Sequence, residues 1–280
     1  MKWILGALFS VVLCQTAIAA TWEITYPRPI SEDDHRQDYP VKLLALALDQ
    51  TGVKYKLQPA SVVMLQDKAL KQLAENRSVN VVWSMSDIDR ESRLLPIRIP
   101  IYKGLIGWRV FLVRKDKLAK FRNINTLQSL LKFKPIQGYD WPDTKILQSN
   151  GFDVLTSKSY AGLFTMLASN QGDFVPRSLV EVWKEYDAQF MDESIVVEPT
   201  LGIKYPAAMY FFVNKSNRTL AKLLENGLEK AVANGQYDVL FEQEFRDIFE
   251  RSNMDKRFFF QIDNPLNAPA TPIDREELWY

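Results

Sequence analysis

The sequence predicts an α/β protein of two lobes, each a mainly parallel sheet flanked by helices, joined by two hinge strands. Three observations carry that expectation. Strand-like and amphipathic helical segments alternate over most of the 280 residues, the pattern of α/β architecture. VNVVWS (79–84) is a continuous apolar run of the kind buried on both faces of a parallel sheet. Extended segments interrupt the alternation twice, around 93–115 and again near 200–213, where a chain passing between two lobes would cross.

The elements follow in order. WEITY (22–26) alternates as a strand and breaks at Pro27-Arg28-Pro29. VKLLALALDQTG (41–52) reads as a helix closed by Gly52, and KYKLQP (54–59) as a strand. Leucines at 65, 70 and 73 among polar residues mark an amphipathic helix over 65–76. RLLPIRIPIY and GWRVFLVRK are extended and meet at Lys103-Gly104, the candidate hinge. Asn125 to Gln128 has the spacing of a capping box, KPIQG (134–138) is a strand, and PDTKILQSNG (142–151) a short helix with a glycine end. FDVL, SYAGLFTMLASNQG, DFVP and SLVEVWKEY continue the alternation. SIVV and AAMYFFVN precede a long helical stretch from about 217 to 250. The expected boundaries are 20–105 with 212–262 for the first lobe and 106–211 for the second. The tail, 263–280, is expected to wrap a surface and dock through Leu278-Trp279-Tyr280.

Composition narrows the function. MKWILGALFSVVLCQTAIA has a basic start, an apolar run from Trp3 to Leu13 and a small-residue ending, so residues 1–19 are expected to be a cleaved export signal and the protein periplasmic. The apolar run is too short to span a bilayer. Cys14 falls inside it, which leaves the mature chain without disulfides or thiol chemistry. Loss of Lys2 takes the formal charge from +1 to 0, without the basic surplus of a nucleic-acid binder. The single histidine, His35, lies in a polar loop, and HExxH, EF-hand, GxSxG, Walker and GxGxxG motifs are absent. No catalytic residue, metal or cofactor is expected, and a monomer is the expected state.

Candidate binding residues lie where strands hand over to helices, the edge at which open α/β sheets take ligands. Arg177 sits between the strand DFVP and Ser178-Leu-Val-Glu181, a capping-box spacing. A guanidinium beside a helix start can hold a carboxylate or phosphate in two parallel hydrogen bonds; the competing reading is a salt bridge to a nearby acid. In GYDWPDTKIL (138–147), Asp143 and Thr144 open the helix, and Trp141 is either an aromatic wall for the ligand or a staple against the helix. Ser84 ends its strand as a polar contact, Trp83 beside it is core or contact, and Arg28 follows the first strand. The charges are mixed, which suits a zwitterionic or anionic small solute.

Two stretches give the chain a family resemblance. VVWSMSDIDRESRLLPIRIPIYKG resembles the strand, Met-Ser, basic helix start and Pro-Tyr approach to the hinge of the type II periplasmic solute-binding proteins, family 3. LLENGLEKAVANGQYDVLFEQEF (223–245) is similar to that family's C-terminal helix, glycine, Tyr-Asp and aromatic-Phe pattern. The resemblance implies a two-lobed protein that closes on a small polar, amino-acid-like solute and delivers it to an ABC permease. The alternatives are a ligand-sensing module for a membrane receptor, or a dehydratase-type enzyme on the same fold. It also implies departures. The family's ammonium-binding aspartate matches Arg177, a reversal of sign. Its carboxylate-binding arginine matches Glu91, with Arg90 one residue earlier. Either Arg90 restores that contact or the charge pattern is inverted.

Overall fold

The computed structural model describes residues 21–30, 34–187 and 192–280; the expected export signal, with Cys14, lies outside the described residues. The chain opens with β1 (Trp22–Arg28), α1 (Asp38–Asp49), β2 (Tyr55–Val63), α2 (Gln66–Ala74), β3 (Val82–Met85), α3 (Ile88–Arg93) and β4 (Leu94–Ile97). It continues with β5 (Trp108–Arg114), α4 (Leu118–Phe121), α5 (Leu127–Leu130), β6 (Ile136–Gly138), α6 (Pro142–Ser149), β7 (Leu155–Ser157), α7 (Tyr160–Ala168), β8 (Phe174–Ser178) and α8 (Leu179–Asp187). Last come β9 (Ile195–Lys204), β10 (Met209–Asn214), α9 (Arg218–Ala233), α10 (Gln236–Arg251) and β11 (Phe258–Gln261).

The strands form two sets. In the first, β1 pairs in parallel with β2, and β10 runs antiparallel between β3 and β4. Asn80 stitches the two pieces together: Thr25 N donates to its Oδ1 at 2.8 Å, and its Nδ2 donates to Glu23 O at 2.8 Å. In the second set the order is β11-β9-β5-β8, and a bridge between Pro135 and Phe174 joins β8 to the parallel pair β6-β7. The chain passes from the first set to the second through 98–107, returns through 205–208 and crosses again after α10.

Several details differ from expectation. Among the described residues four of the seven strand pairings are antiparallel, because β5 and β10, which follow the two crossings, run against their neighbours. The sheets are therefore mixed rather than mainly parallel. β1 runs on through Pro27, and β2 runs on past Pro59 to Val63, with an irregular register between Tyr26 and Arg28. Proline is tolerated there because a bulge needs no ladder hydrogen bond at that position. The capping box sits one residue later, between Thr126 and Ser129. The long helical stretch is two helices, broken at Asn234-Gly235. Phe258–Gln261, expected within the first lobe, pairs in parallel with β9.

The core explains why α1 and α9 lie together. α1 buries Leu43, Leu44, Ala47 and Leu48, the i, i+4 stripe of an amphipathic helix, and α9 answers with Leu220, Leu224 and Leu228. Gly227 stands at their closest approach. A Cβ there would drive into the Ala47 carbonyl, backbone that cannot swing aside. Gly227→Ala is therefore expected to destabilise the protein by about 1–3 kcal/mol through overpacking, despite the better helix propensity of alanine. Urea unfolding followed by circular dichroism checks this; equal or greater stability would show that the two helices can separate at little cost.

Candidate functional site

At the helix end of β6 the chain turns through Gly138 and Asp140 into α6, whose first turn carries Asp143 and Thr144. Thr144 Oγ1 donates back to Gly138 O at 2.7 Å, which fixes the turn. Asp143 is 4% exposed, and its carboxylate points inward to Arg109 of β5, with Nη2 to Oδ1 at 2.6 Å. The Tyr205 hydroxyl donates to the same oxygen. Asp143 is thus held by Arg109 and Tyr205 from β5 and the return crossing.

Arg177, on β8, is 2% exposed. Its Nε and Nη2 donate to Glu185 Oε2 and Oε1 at 2.7 and 2.5 Å, a bidentate pair. Glu181, one turn earlier on α8, approaches Nη2 at 3.1 Å, an ionic contact without hydrogen-bond alignment. The guanidinium also lies over the Trp141 ring at 4.7 Å. Ser178 Oγ donates to Leu105 O at 3.0 Å and accepts from Val180 N in the first turn of α8 at 3.4 Å, while Glu181 turns to Arg177 and Arg109. The salt-bridge alternative describes Arg177 in this structure, with its acids on the helix that follows.

Glu185 completes the cluster. Burial pushes its carboxyl up, but the Arg177 charge and the hydrogen bonds from Arg177 and Tyr160 outweigh that and hold it below the ordinary glutamate value. Counting charges, Arg109 and Arg177 stand against Asp143, Glu181 and Glu185: two cations and three anions. Arg36, from the turn between β1 and α1, adjoins the cluster with its own counter-charge. It is paired with Asp34 at 2.7 and 2.8 Å and lies over the Tyr160 ring at 4.5 Å, and the Glu185 charge helps keep it protonated.

On the other side, α3 presents Arg90, 4% exposed, from a first turn capped by the Asp87 side chain. Its Nη1 donates to Ser84 Oγ and Met85 O, both at 2.8 Å, and Nη2 reaches Gln66 Oε1 at 3.3 Å. Burial lowers its affinity for the proton, while Asp87, Asp67, Asp143 and Asp140 oppose that loss. Glu91 points elsewhere, accepting from Ser86 Oγ at 2.6 Å and from Arg98. Asp140 is half-buried and, among the described residues, has no ion-pair partner. Its carboxyl is pushed up by burial, held back by its own backbone amide, raised by Asp67 and lowered by Arg90.

Ser84 and Arg90 are thus in contact, Asp143, Trp141 and Arg177 lie in the adjoining cluster, and Asp140 and Asp143 stand within electrostatic reach of Arg90. Trp83 is partly buried between Tyr26 and Phe211, with centroids at 5.8 and 6.0 Å. Arg28 is exposed and donates from Nε to Ala60 O at 2.6 Å, apart from the cluster. His35 is exposed beside Asp38. The reading of the sequence missed Asp140, Tyr160, Arg36 and Glu185. Asp140 was legible in principle, being in the same turn as Asp143; Glu185 shows only as an i+8 spacing from Arg177. Among the described residues no group of three acidic, histidine or cysteine side chains could hold a metal, and no helix is long and apolar enough to cross a membrane.

No protein-family model matches the chain, and no curated protein sequence does. Solved structures do match it. One is an amino acid ABC transporter substrate-binding protein from Streptococcus pneumoniae bound to L-arginine, 15% identical over 80% of this chain and 93% of that one, TM-score 0.56. Another is the periplasmic VFT2 domain of Bordetella pertussis BvgS, 13% identical over 80% and 92%, TM-score 0.58. The chain has the two-lobed periplasmic-binding-protein fold. A third relative in structure is an ancestral amino acid-binding protein, AncCDT-1, a precursor of cyclohexadienyl dehydratase, 16% identical over 80% and 95%, TM-score 0.57. At these identities the likeness is one of fold, and the periplasmic-binding-protein fold serves transport, sensing and catalytic lineages alike.

The buried ion pair gives a prediction. Because Glu185 is depressed in the folded state, its contribution is present above the ordinary glutamate range and is lost as pH falls through the lower folded value. Glu185→Gln is expected to cost about 3–5 kcal/mol at neutral pH, by stranding the Arg177 charge, and to flatten the acid limb of the stability profile. Adding Arg177→Met should recover part of the loss. Denaturant unfolding between neutral and acid pH measures both; an unchanged acid limb in Glu185→Gln would count against the assignment.

Proposed function

We propose that the protein is a periplasmic solute-binding protein that captures a small zwitterionic, amino-acid-like solute between its two lobes. The first lobe would comprise the strand set of β1–β4 and β10, the second that of β5–β9 and β11, with Lys103-Gly104 and the 205–208 segment as the hinge. The observation that supports the reading is a buried arginine on a neutral cradle with an aspartate of opposite charge within its electrostatic reach. Arg90 is anchored by Ser84 and Met85 O, and Asp140, which among the described residues has no ion-pair partner, lies within its electrostatic reach. Arg90 would take the solute carboxylate and Asp140 its cationic group. Trp141 and Tyr160 would supply an aromatic side, while Thr144 and Asp143 would shape the floor.

Arg177 and Asp143 then act as scaffold, since each already has a buried counter-charge. Export through residues 1–19 and delivery to an ABC permease complete the proposal. The sensory alternative, delivery to a membrane receptor, is favoured by the fold likeness to a histidine kinase sensor domain as well as to the BvgS domain. Gene neighbourhood separates the two.

Native mass spectrometry of protein freshly taken from the periplasm should find an intact small polar molecule bound. A converted product in its place would favour the dehydratase reading. Calorimetry with L-arginine and L-glutamine as probes should give binding that Arg90→Gln weakens by 2–5 kcal/mol, roughly 30-fold or more, the cost of breaking a desolvated charge contact. Wild-type affinity in Arg90→Gln would refute the anchor. Binding of these probes should also weaken in mild acid, because the Asp140 carboxyl, raised by burial, protonates before an ordinary aspartate. Asp140→Asn should bind weakly at every pH and lose that dependence.

A further inference from the structure

The tail beyond β11 touches both crossings and both strand sets. Its start is tied to the second set: Ile262 N donates to Lys204 O at 3.0 Å, and Asp263 exchanges two hydrogen bonds with the Asn150 side chain at the end of α6, at 2.8 and 3.1 Å. The next turn grips the return crossing, where Asn264 Nδ2 and Asn267 Nδ2 both donate to Pro206 O, at 2.7 and 3.1 Å. Leu266 O accepts from Ile88 N at 3.1 Å, at the start of the helix that carries Arg90. Arg275 then forks onto Glu229 of α9 at 2.6 and 2.9 Å.

The far end closes on the first crossing. Tyr280 N donates to Lys103 O at 2.9 Å, and Lys103 Nζ donates to Glu277 O at 3.0 Å. Gly104 has φ +78° and no side chain, and the Trp279 ring occupies the space where a Cβ would stand, 2.5 Å from its position. The Tyr280 ring stacks on Phe249 of α10 at 4.7 Å and meets Trp108, the first residue of β5, at 6.2 Å.

We propose that residues 262–280 form a strap that restrains the hinge and sets how readily the two lobes part. Both crossings are short, and each is covered by the tail where its backbone would have to turn. Rotation of one lobe about Lys103-Gly104 and 205–208 must carry Asp263 with one lobe and Arg275 with the other, so the strap is stretched or released by the motion. The proposal rests on the reading of the two lobes as bodies that move about these crossings.

Hydrogen exchange of the ligand-free full chain tests it through the crossing amides of Ile101, Leu105, Gly107 and Tyr205, which donate to the carbonyls of Met209, Tyr102, Gly104 and Gly107. Trp279→Ala should raise exchange at these amides at least about 10-fold while β1–β2 and β5–β8 keep wild-type rates. Arg275→Gln, at a half-exposed position, should do so more weakly. Unchanged crossing amides in both variants would overturn the strap. An equal rise throughout both strand sets would overturn it too, since the tail would then be ordinary packing. The hinge itself is judged separately on the wild type, by small-angle scattering with and without L-arginine and L-glutamine. Motion there with inert variants fails the strap alone; a wild type rigid in scattering, with crossings that exchange in step with the sheets, fails the hinge and the strap with it.

Discussion

A guanidinium sealed from water keeps its proton, so burying one favours a counter-charge inside the protein. Arg109 and Arg177 find theirs within the second lobe, through Asp143, Glu181 and Glu185. That pairing arranges the surrounding structure. β5 and β8 must lie side by side to bring the two arginines together, α8 must follow β8 directly to return Glu181 and Glu185, and α6 must start where its first turn delivers Asp143. The cluster holds one carboxylate more than it has arginines, and Arg36, already paired with Asp34, lies over the Tyr160 ring at its edge and feels the Glu185 charge.

The same accounting moves ligand recognition away from the residues that look most like binding groups. Arg177 stands where a strand hands over to a helix, but its bidentate partner is Glu185, and a ligand carboxylate would have to displace a buried glutamate to reach it. Arg90 differs. Two of its bonds go to neutral oxygens, Ser84 Oγ and Met85 O, and its acidic neighbour Asp87 lies at 3.4 Å, so its charge is only partly met. A neutral cradle positions a cation without cancelling it, which is what an anion site needs.

How much of this the sequence shows depends on the range of the interaction. Alternation, apolar runs and glycine ends are local, and they mark nearly every helix and strand, including the interruption at the hinge. Strand direction is not local: β10 is antiparallel because of where the chain crosses, and nothing in AAMYFFVN says so. Prolines 27 and 59 look like strand stops, yet they fall at a bulge. For the site, the strand-to-helix rule finds Ser84, Asp143, Thr144 and Arg177 as neighbours of a shared region. It cannot tell a free charge from a compensated one. The partner of Arg177 is two helical turns away, that of Asp143 lies 34 residues back at Arg109, and Arg36 arrives from the other lobe.

Asp140 and the tail both bear on the proposed closure of the cleft. On the proposed division Arg90 would lie in one lobe and Asp140 in the other, so a zwitterion held between them would draw the lobes together. Any such motion turns the crossings that the tail covers. Leu266 O bonds the first turn of α3, the turn that also carries Arg90, and the neighbouring Asn264 and Asn267 hold Pro206 O. Anchor, hinge and strap are therefore mechanically adjacent. A carboxylate held by Arg90 in the proposed site would pull on the turn that Leu266 O binds, a few bonds from the proposed strap.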